Sequence, residues 1–244
     1  MRYLIEFSYN GTNYHGWQKQ PNANSVQEEL TKCVSVLLQE KIEIIGAGRT
    51  DTGVHAKQMF AHFDSKISID FQNLVMKLNS FLPNDILVKR VFRVKEDTHA
   101  RFTAVSRTYQ YFVSTHKDIF NSNLYFLFKS LDIDKMNKAC RYLIGQQDFS
   151  SFSKVNTDTF TNICEITYAK WRKEGCYIVF TISSNRFLRN MVRSIVGTLL
   201  DVGLGKTEVD EIKSIIEKKD RREAGISVPA KGLFLTNIKY PDNI

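Results

Sequence analysis

The sequence predicts an α+β protein of two ferredoxin-like halves, each a βαββαβ run whose helices cover one face of an antiparallel sheet. Two observations lead there. Segments that alternate apolar and polar residues are interleaved with segments whose apolar residues recur at helical spacing. In the first half of the chain their order is strand, helix, strand, strand, helix, strand.

Residues 3–9 set Tyr3, Ile5, Phe7 and Tyr9 against Leu4, Glu6 and Ser8, the period of a half-buried strand. A loop through Asn10-Gly11 and Gly16 to Pro21 follows. Ser25 then precedes Glu28 by three, a capping box, and Val26, Leu30, Cys33, Val34 and Leu37 share one helical face in a helix ending near Lys41. Residues 42–45 read as a strand into a glycine-containing loop, and 58–64 as the next strand. Asp70 caps a helix with Phe71, Leu74, Val75 and Leu78 on one face, and 86–94 closes the unit as a strand.

The second half opens with a strand over 106–114, alternating Tyr109, Tyr111 and Val113. The stretch 116–131 is poorly patterned and reads as a variable excursion. A helix over 134–144 turns Met136, Ala139, Cys140, Leu143 and Ile144 inward and stops at Gly145, strands fit 149–153, 163–172 and 176–184, and the longest helix spans 186–202. Thr207 with Asp210 forms a capping box for a short basic helix ending near Lys219, and 233–240 gives a final strand. This half reads as an embellished version of the first, so the expected division is an N-terminal subdomain 1–103 and a C-terminal subdomain 104–244.

Composition narrows the function classes. Among 244 residues, Lys and Arg outnumber Asp and Glu by 34 to 26, a formal charge of +8 that suits a polyanionic partner without proving one. Cys33, Cys140, Cys164 and Cys176 form no C-x-x-C pair and have no His at zinc spacing, so no metal site or redox motif is expected, only reduced, buried thiols. The chain begins directly in a strand pattern and no apolar run approaches a membrane span, which makes a cytoplasmic protein with no membrane contact the expectation.

The chemistry concentrates in Gly46-Ala47-Gly48-Arg49-Thr50-Asp51-Thr52-Gly53-Val54-His55-Ala56. Three glycines let the backbone turn beside a carboxylate and a guanidinium. No Lys follows in Walker fashion and the next element reads as a strand, so neither a P-loop nor a dinucleotide-binding turn fits. Taken alone, the run reads first as a tight turn whose Asp51 caps backbone amides and whose Arg49 is solvated. No G-x-S-x-G elbow accompanies the scattered histidines, and His55 reads as structural.

The same run resembles the signature G-R-T-D-x-G-V-H-A of the TruA family of tRNA pseudouridine synthases. The resemblance continues in order through Tyr9-Asn-Gly-Thr-Asn-Tyr-His-Gly-Trp-Gln-Lys-Gln20, Ser25-Val-Gln-Glu28, Leu82-Pro-Asn-Asp-Ile86, His99-Ala-Arg-Phe102, Arg107-Thr-Tyr-Gln-Tyr111, Asp148-Phe-Ser-Ser-Phe152, Phe187-Leu-Arg-Asn-Met-Val-Arg193 and Pro229-Ala-Lys-Gly-Leu233. It departs at Thr52, where alanine is common, at Arg186, and at Ser227-Val228, departures expected to leave Asp51, Tyr109 and Arg193 untouched.

The resemblance implies an isomerase without cofactor that turns uridine into pseudouridine at positions 38, 39 and 40 of the tRNA anticodon arm. It also implies a homodimer and a central RNA-binding cleft. Asp51 becomes the catalytic carboxylate, acting at C1′, at C6 or on the C2′ proton. Tyr109 becomes the tyrosine packed on the target base, Arg193 the basic residue that pairs with the aspartate, and Arg49 the arginine that fills the space of a flipped nucleotide. Arg101, Arg107, Arg189, Arg221 and Arg222, with Lys218 and Lys219, are candidate phosphate contacts, Arg189 lying one helical turn from Arg193. The competing readings are a single-stranded-RNA binding module, against which no RNP1 pattern is present, and a family member with a purely structural or RNA-chaperone role.

Overall fold

The computed structural model describes residues 1–117, 119, 124–155 and 159–244, so part of the excursion 116–131 lies outside the described residues. The protein is α+β, with a mostly antiparallel arrangement of strands and five α-helices among the described residues. Contacts divide it into two compact units, residues 1–105 with 234–244, and residues 106–233.

The first unit begins with β1 (Arg2–Tyr9), α1 (Val26–Leu38), β2 (Ile45–Gly46), β3 (His55–Asp64), α2 (Phe71–Phe81) and β4 (Ile86–Val94). The second contains β5 (Ser106–Ser114), β6 (Tyr125–Phe126), α3 (Ile133–Cys140), β7 (Gly145–Asp148), β8 (Ile163–Glu174), β9 (Tyr177–Ser184), α4 (Met191–Gly203) and α5 (Glu211–Lys218). The last strand, β10 (Leu233–Lys239), returns to the first unit and pairs in parallel with β3 through Phe234↔His55 and Leu235↔Ala56.

In the first unit β1 is central, antiparallel to β4 on one side and β3 on the other, with β2 along the opposite edge of β3 from β1, at Ile45↔His62. The helix side of β1 carries Tyr3, Ile5 and Phe7, and the Tyr3 ring meets Phe71 of α2 at 6.0 Å. Half-burial of β1 is not what the structure has: Leu4 and Glu6, on the opposite face, are buried too. The segment 98–103 and Tyr240 cover that face, Ala100 donating its N–H to His62 and Tyr240 standing edge-on to Phe60. Buried Glu6 is tolerated because its two carboxylate oxygens accept from Arg90 at 2.6 Å and Gln58 at 2.9 Å.

Local signals fix the helices at their N-termini. Ser25 Oγ accepts the Glu28 N–H at 3.3 Å and Asp70 accepts the Asn73 N–H at 3.2 Å, as their spacing predicts. Glu28 reaches Lys19 at 3.5 Å. α1 stops three residues before Lys41, because Gln39 adopts a left-handed conformation (φ 53°), and Leu38 rather than Leu37 is buried at its end. Of 42–45, only Ile45 enters a strand; Ile42 and Ile44 are buried anchors of a loop.

The second unit orders its strands β5-β9-β8-β7, all antiparallel, with β6 parallel beside β5. Trp171 and Phe180, cross-strand partners on β8 and β9, meet at 4.9 Å with their rings tilted, α3 packing on β8 and α4 on α3. Several expectations need correction. The strand expected at 149–153 is β7, four residues earlier, followed by a 3-10 turn at Ser150–Phe152. α3 ends at Cys140 in a 3-10 turn and leaves Ile144 exposed. The α5 capping box does not form: Thr207 lies outside the helix, and Asp210 accepts from the Tyr142 hydroxyl instead.

α4 starts at Met191, not Arg186, and at 13 residues it equals α1 rather than exceeding it. Asn190 is left-handed (φ 66°, ψ 0°), a conformation asparagine tolerates and a continuing helix does not. Arg189 therefore sits in the lead-in and not one turn from Arg193 on a common helix. Cys33, Cys140 and Cys164 are buried free thiols, with burial pushing Cys140 up to about 12, whereas Cys176 is exposed beside the Gly175 turn.

Candidate active site

The loop 46–56 joins β2 to β3 and is held from beneath by the segment 9–17. Gly46 is required by contact, since a Cβ there would stand 2.5 Å from the Trp17 indole. Gly16 (φ 93°) brings the backbone so close that a Cβ would lie 2.4 Å from the Thr50 carbonyl oxygen and 3.2 Å from the Asp51 carbonyl carbon. The Trp17 N–H donates to Thr50 O at 3.3 Å, and the buried Tyr9 and Thr50 hydroxyls are hydrogen-bonded at 2.8 Å. Thr50 is thus held by side chain and main chain, immediately before Asp51.

The far end of the loop is tied as firmly. Gly53 N–H donates to Tyr14 O at 3.4 Å, and Val54 N–H to Asp51 O at 3.1 Å. His55, buried, accepts the Gly11 N–H on Nδ1 at 3.0 Å and stacks on Phe234 of β10 at 4.5 Å, with Lys57 Nζ 5.4 Å from that ring. Its structural reading agrees with this geometry. Segment 9–17 is itself anchored to Asp85, which accepts from Tyr14 Oη at 2.5 Å and Asn13 Nδ2 at 3.2 Å; burial, then the Asp85 bond, raises the Tyr14 hydroxyl above its ordinary range.

On this fixed backbone Thr50 is buried, Asp51 is half-buried and Arg49 is exposed. A carboxylate on a backbone held by hydrogen bonds and close contacts, itself half-buried, is suited to attack on carbon or removal of a proton. Among the described residues no group of three or more His, Cys, Asp or Glu side chains is placed to hold a metal ion.

Within the second unit, Tyr109 of β5 lies opposite Ile182 of β9, half-buried, with its ring edge-on to Phe187 at 5.2 Å. Tyr111, two residues on, is core: its hydroxyl donates to Pro229 O at 2.9 Å, and burial raises it far above its ordinary range. Arg193, in the first turn of α4, donates from Nε to Val228 O at 2.7 Å, and the Val228 N–H returns to Arg193 O at 3.2 Å. The segment 224–229 is clasped further by Arg221, which donates to Ala224 O and Ser227 Oγ, and by Asn190, whose side-chain amide also donates to Ser227 Oγ at 2.7 Å. Arg193 is therefore seated by a backbone that its spacing in the sequence does not reveal, and the departure at Ser227-Val228, expected to leave the residues that carry the chemistry untouched, bonds directly to Arg193 through Val228.

The candidate phosphate contacts fall in different settings. Arg189 is exposed, and Arg101 lies 5.5 Å from the Phe102 ring. Arg107 donates to Asn185 O at 2.8 Å, and Arg221 is engaged in the clasp. Arg222 pairs with Asp220 at 2.6 Å, holding that carboxyl down at about 2, while Lys218 pairs with Glu223 and Lys219 with Asp148. Partnered surface cations keep a weaker long-range field than their number suggests.

A family model described as tRNA pseudouridine synthase matches residues 6–103 and 139–241, spans that hold Asp51 and Arg193 and leave Tyr109 between them. The chain belongs to the tRNA pseudouridine synthase family. Proteins named tRNA pseudouridine synthase A resemble it along their length: that of Bacteroides thetaiotaomicron is 53% identical, covering 100% of this chain and 92% of the relative. Those of Parabacteroides distasonis, 50% identical over 100% and 97%, and Francisella tularensis, 42% over 98% and 94%, agree. As a tRNA pseudouridine synthase the chain is an isomerase that converts uridine into pseudouridine, with tRNA as the substrate the family acts on. No helix among the described residues is long and apolar enough to cross a membrane.

Proposed function

We propose that the protein isomerises uridines 38, 39 and 40 of the tRNA anticodon arm, with Asp51 as the catalytic carboxylate. The observation that carries this reading is the loop itself: Thr50 pinned to Tyr9, Gly16 and Trp17 leaves Asp51 half-buried on a backbone hydrogen-bonded on both sides of it. Such preorganisation is what a single carboxylate needs when neither cofactor nor energy source assists. In the reaction the bond from C1′ to N1 breaks, the uracil turns, C1′ joins C5, and the C5 proton is lost as N1 gains one.

The other roles are assigned on the same reading. Tyr109 stacks on the target base, Arg193 and Arg49 bind the flipped nucleotide and the groups around it, and Arg101, Arg107, Arg189, Arg221 and Arg222 follow the phosphates. The reading takes each half as ferredoxin-like, supported in the first unit by the order β1-α1-β2-β3-α2-β4, and takes the working form as a cytoplasmic homodimer.

The experiment is release of tritium from tRNA transcripts labelled at uridine C5. Wild type should release one tritium per modified site, and Asp51→Asn none above background. Wild type releasing nothing from any tRNA sinks the enzyme reading; an Asn variant as fast as wild type removes Asp51 from the chemistry. Sequencing the modified positions tests 38, 39 and 40.

A further inference from the structure

The segment 98–103 covers the face of the first unit's sheet opposite the helices, and it is braced at nearly every residue. Arg2 donates to Thr98 O at 3.1 Å, and Thr103 closes on His99 through its N–H and Oγ1, both at 2.9 Å. Ala100 donates its N–H to His62 Nδ1 at 3.1 Å and accepts the Tyr240 hydroxyl at 2.6 Å. His99 Nδ1 accepts from both Arg101 N–H, at 3.1 Å, and Phe102 N–H, at 3.3 Å.

The product of all this bracing is an outward-facing phenyl ring. Phe102 is 75% exposed, with the tilted His99 ring at 4.4 Å and the Arg101 guanidinium carbon over the ring, 5.5 Å from its centroid. The backbone that presents this ring is hydrogen-bonded from Thr98 to Thr103, and those bonds would have to break to turn the ring inward. One ring in a turn of His, Arg and Thr is too small an apolar area for a protein partner, for which several hundred square ångströms a side is usual. An aromatic face with a guanidinium beside it matches an unstacked base and its phosphate.

We propose that Phe102 is a stacking platform for an unpaired nucleotide of the tRNA, with Arg101 taking the adjoining phosphate. The proposal rests on tRNA being the substrate. It adds a place that holds the RNA apart from the residues assigned to the reacting uridine. Stacking is indifferent to base identity and insensitive to salt, whereas the phosphate contact is salt-dependent, so the two partners are separable by measurement.

The test measures tRNA binding by fluorescence anisotropy over a range of salt for wild type, Phe102→Ala, Phe102→Leu, Phe102→Trp and Arg101→Ala. Expected are a loss of about tenfold in affinity for both Ala and Leu at position 102, affinity within twofold of wild type for Trp, and no change of salt slope in these three. Arg101→Ala should lower the slope by about one. Leu binding as well as wild type would show that bulk rather than a π-face is used, and Ala binding as well as wild type would remove the platform; either overturns the proposal. So does a Phe102→Ala protein whose sedimentation shows a changed oligomeric state while each copy keeps its tRNA affinity, since the ring would then serve an interface. The readout is binding, so a wild type that binds tRNA yet releases no tritium defeats the isomerase reading and leaves the comparison among Phe102 variants intact.

Discussion

The Tyr9 hydroxyl lies 2.8 Å from the Thr50 hydroxyl, both buried, joining the end of β1 to the residue before Asp51. Tyr9→Phe keeps the ring and deletes that bond; Thr50→Val deletes it from the other side. Each is expected to lower kcat roughly tenfold and stability by about 1 kcal/mol while KM for tRNA stays within twofold. Thr50→Ser should restore most of the rate, and the double variant should be no slower than the worse single one. Effects that multiply, or that fall on KM alone, would show that the bond does not position Asp51.

Gly16 and Gly48 belong to the same site and should behave oppositely. A Cβ at Gly16 meets Thr50 O at 2.4 Å on a backbone at φ 93°, whereas one at Gly48 meets nothing within 4 Å. Gly16→Ala should cost about 2 kcal/mol or more, read as a fall in Tm, and Gly48→Ala less than about 0.5 kcal/mol. Equal shifts in the two melting curves would refute the close approach.

His62 makes stability depend on pH. Burial first, then His99 and Arg2, lower its pKa to about 4, against the pull of Asp64 in the other direction. An unfolded histidine titrates near 6.5, so between those values the unfolded state holds the extra proton and stability falls as pH falls. Above about 6.5 the full stability is present; below about 4 the loss levels off at roughly 2–3 kcal/mol. His99, lowered mainly by burial and then by Arg2 and Arg101, adds to the same trend. Urea midpoints measured from pH 7.5 to 4.5 should fall more steeply for wild type than for His62→Gln, and parallel curves would discard the assignment.

Ser194, inside α4, is fully buried and its hydroxyl has no hydrogen-bond partner among the described residues. Removing it relieves a desolvated polar atom, so Ser194→Ala should leave stability unchanged or raise it by up to about 1 kcal/mol. The neighbouring bond from Thr198 Oγ1 to the Ser194 carbonyl does not involve the altered side chain. A clear fall in Tm would point to a partner for that hydroxyl.

What the sequence made legible was local. The caps at Ser25 and Asp70, the helix they start, and strands β4 and β5 follow from residues within a few positions of one another. The errors arose where a distant segment decides the outcome. Leu4 and Glu6 are buried because 98–103 and Tyr240 come back over β1, and Thr207 has no capping role because α5 begins only at Glu211, with Asp210 at its N-cap and the Asp210 carboxylate accepting from Tyr142. A left-handed asparagine, invisible to periodicity, moved Arg189 off α4. In the site, Asp51 stood out by its motif, but nothing in its spacing said that Tyr9, Gly16 and Trp17 form its bed, because those contacts span more than thirty residues. The motif containing Tyr9 and Trp17 was visible as a resemblance before its purpose was.

The return of β10 gives the protein an order of assembly. During synthesis β1, β3 and β4 emerge early, while Phe234, the ring on which His55 rests, is made only after the whole second unit. A nascent chain halted before that strand carries the Asp51 loop on a sheet with one edge incomplete. The ribosome must therefore deliver nearly the entire polypeptide before the first segment it made can reach its final state.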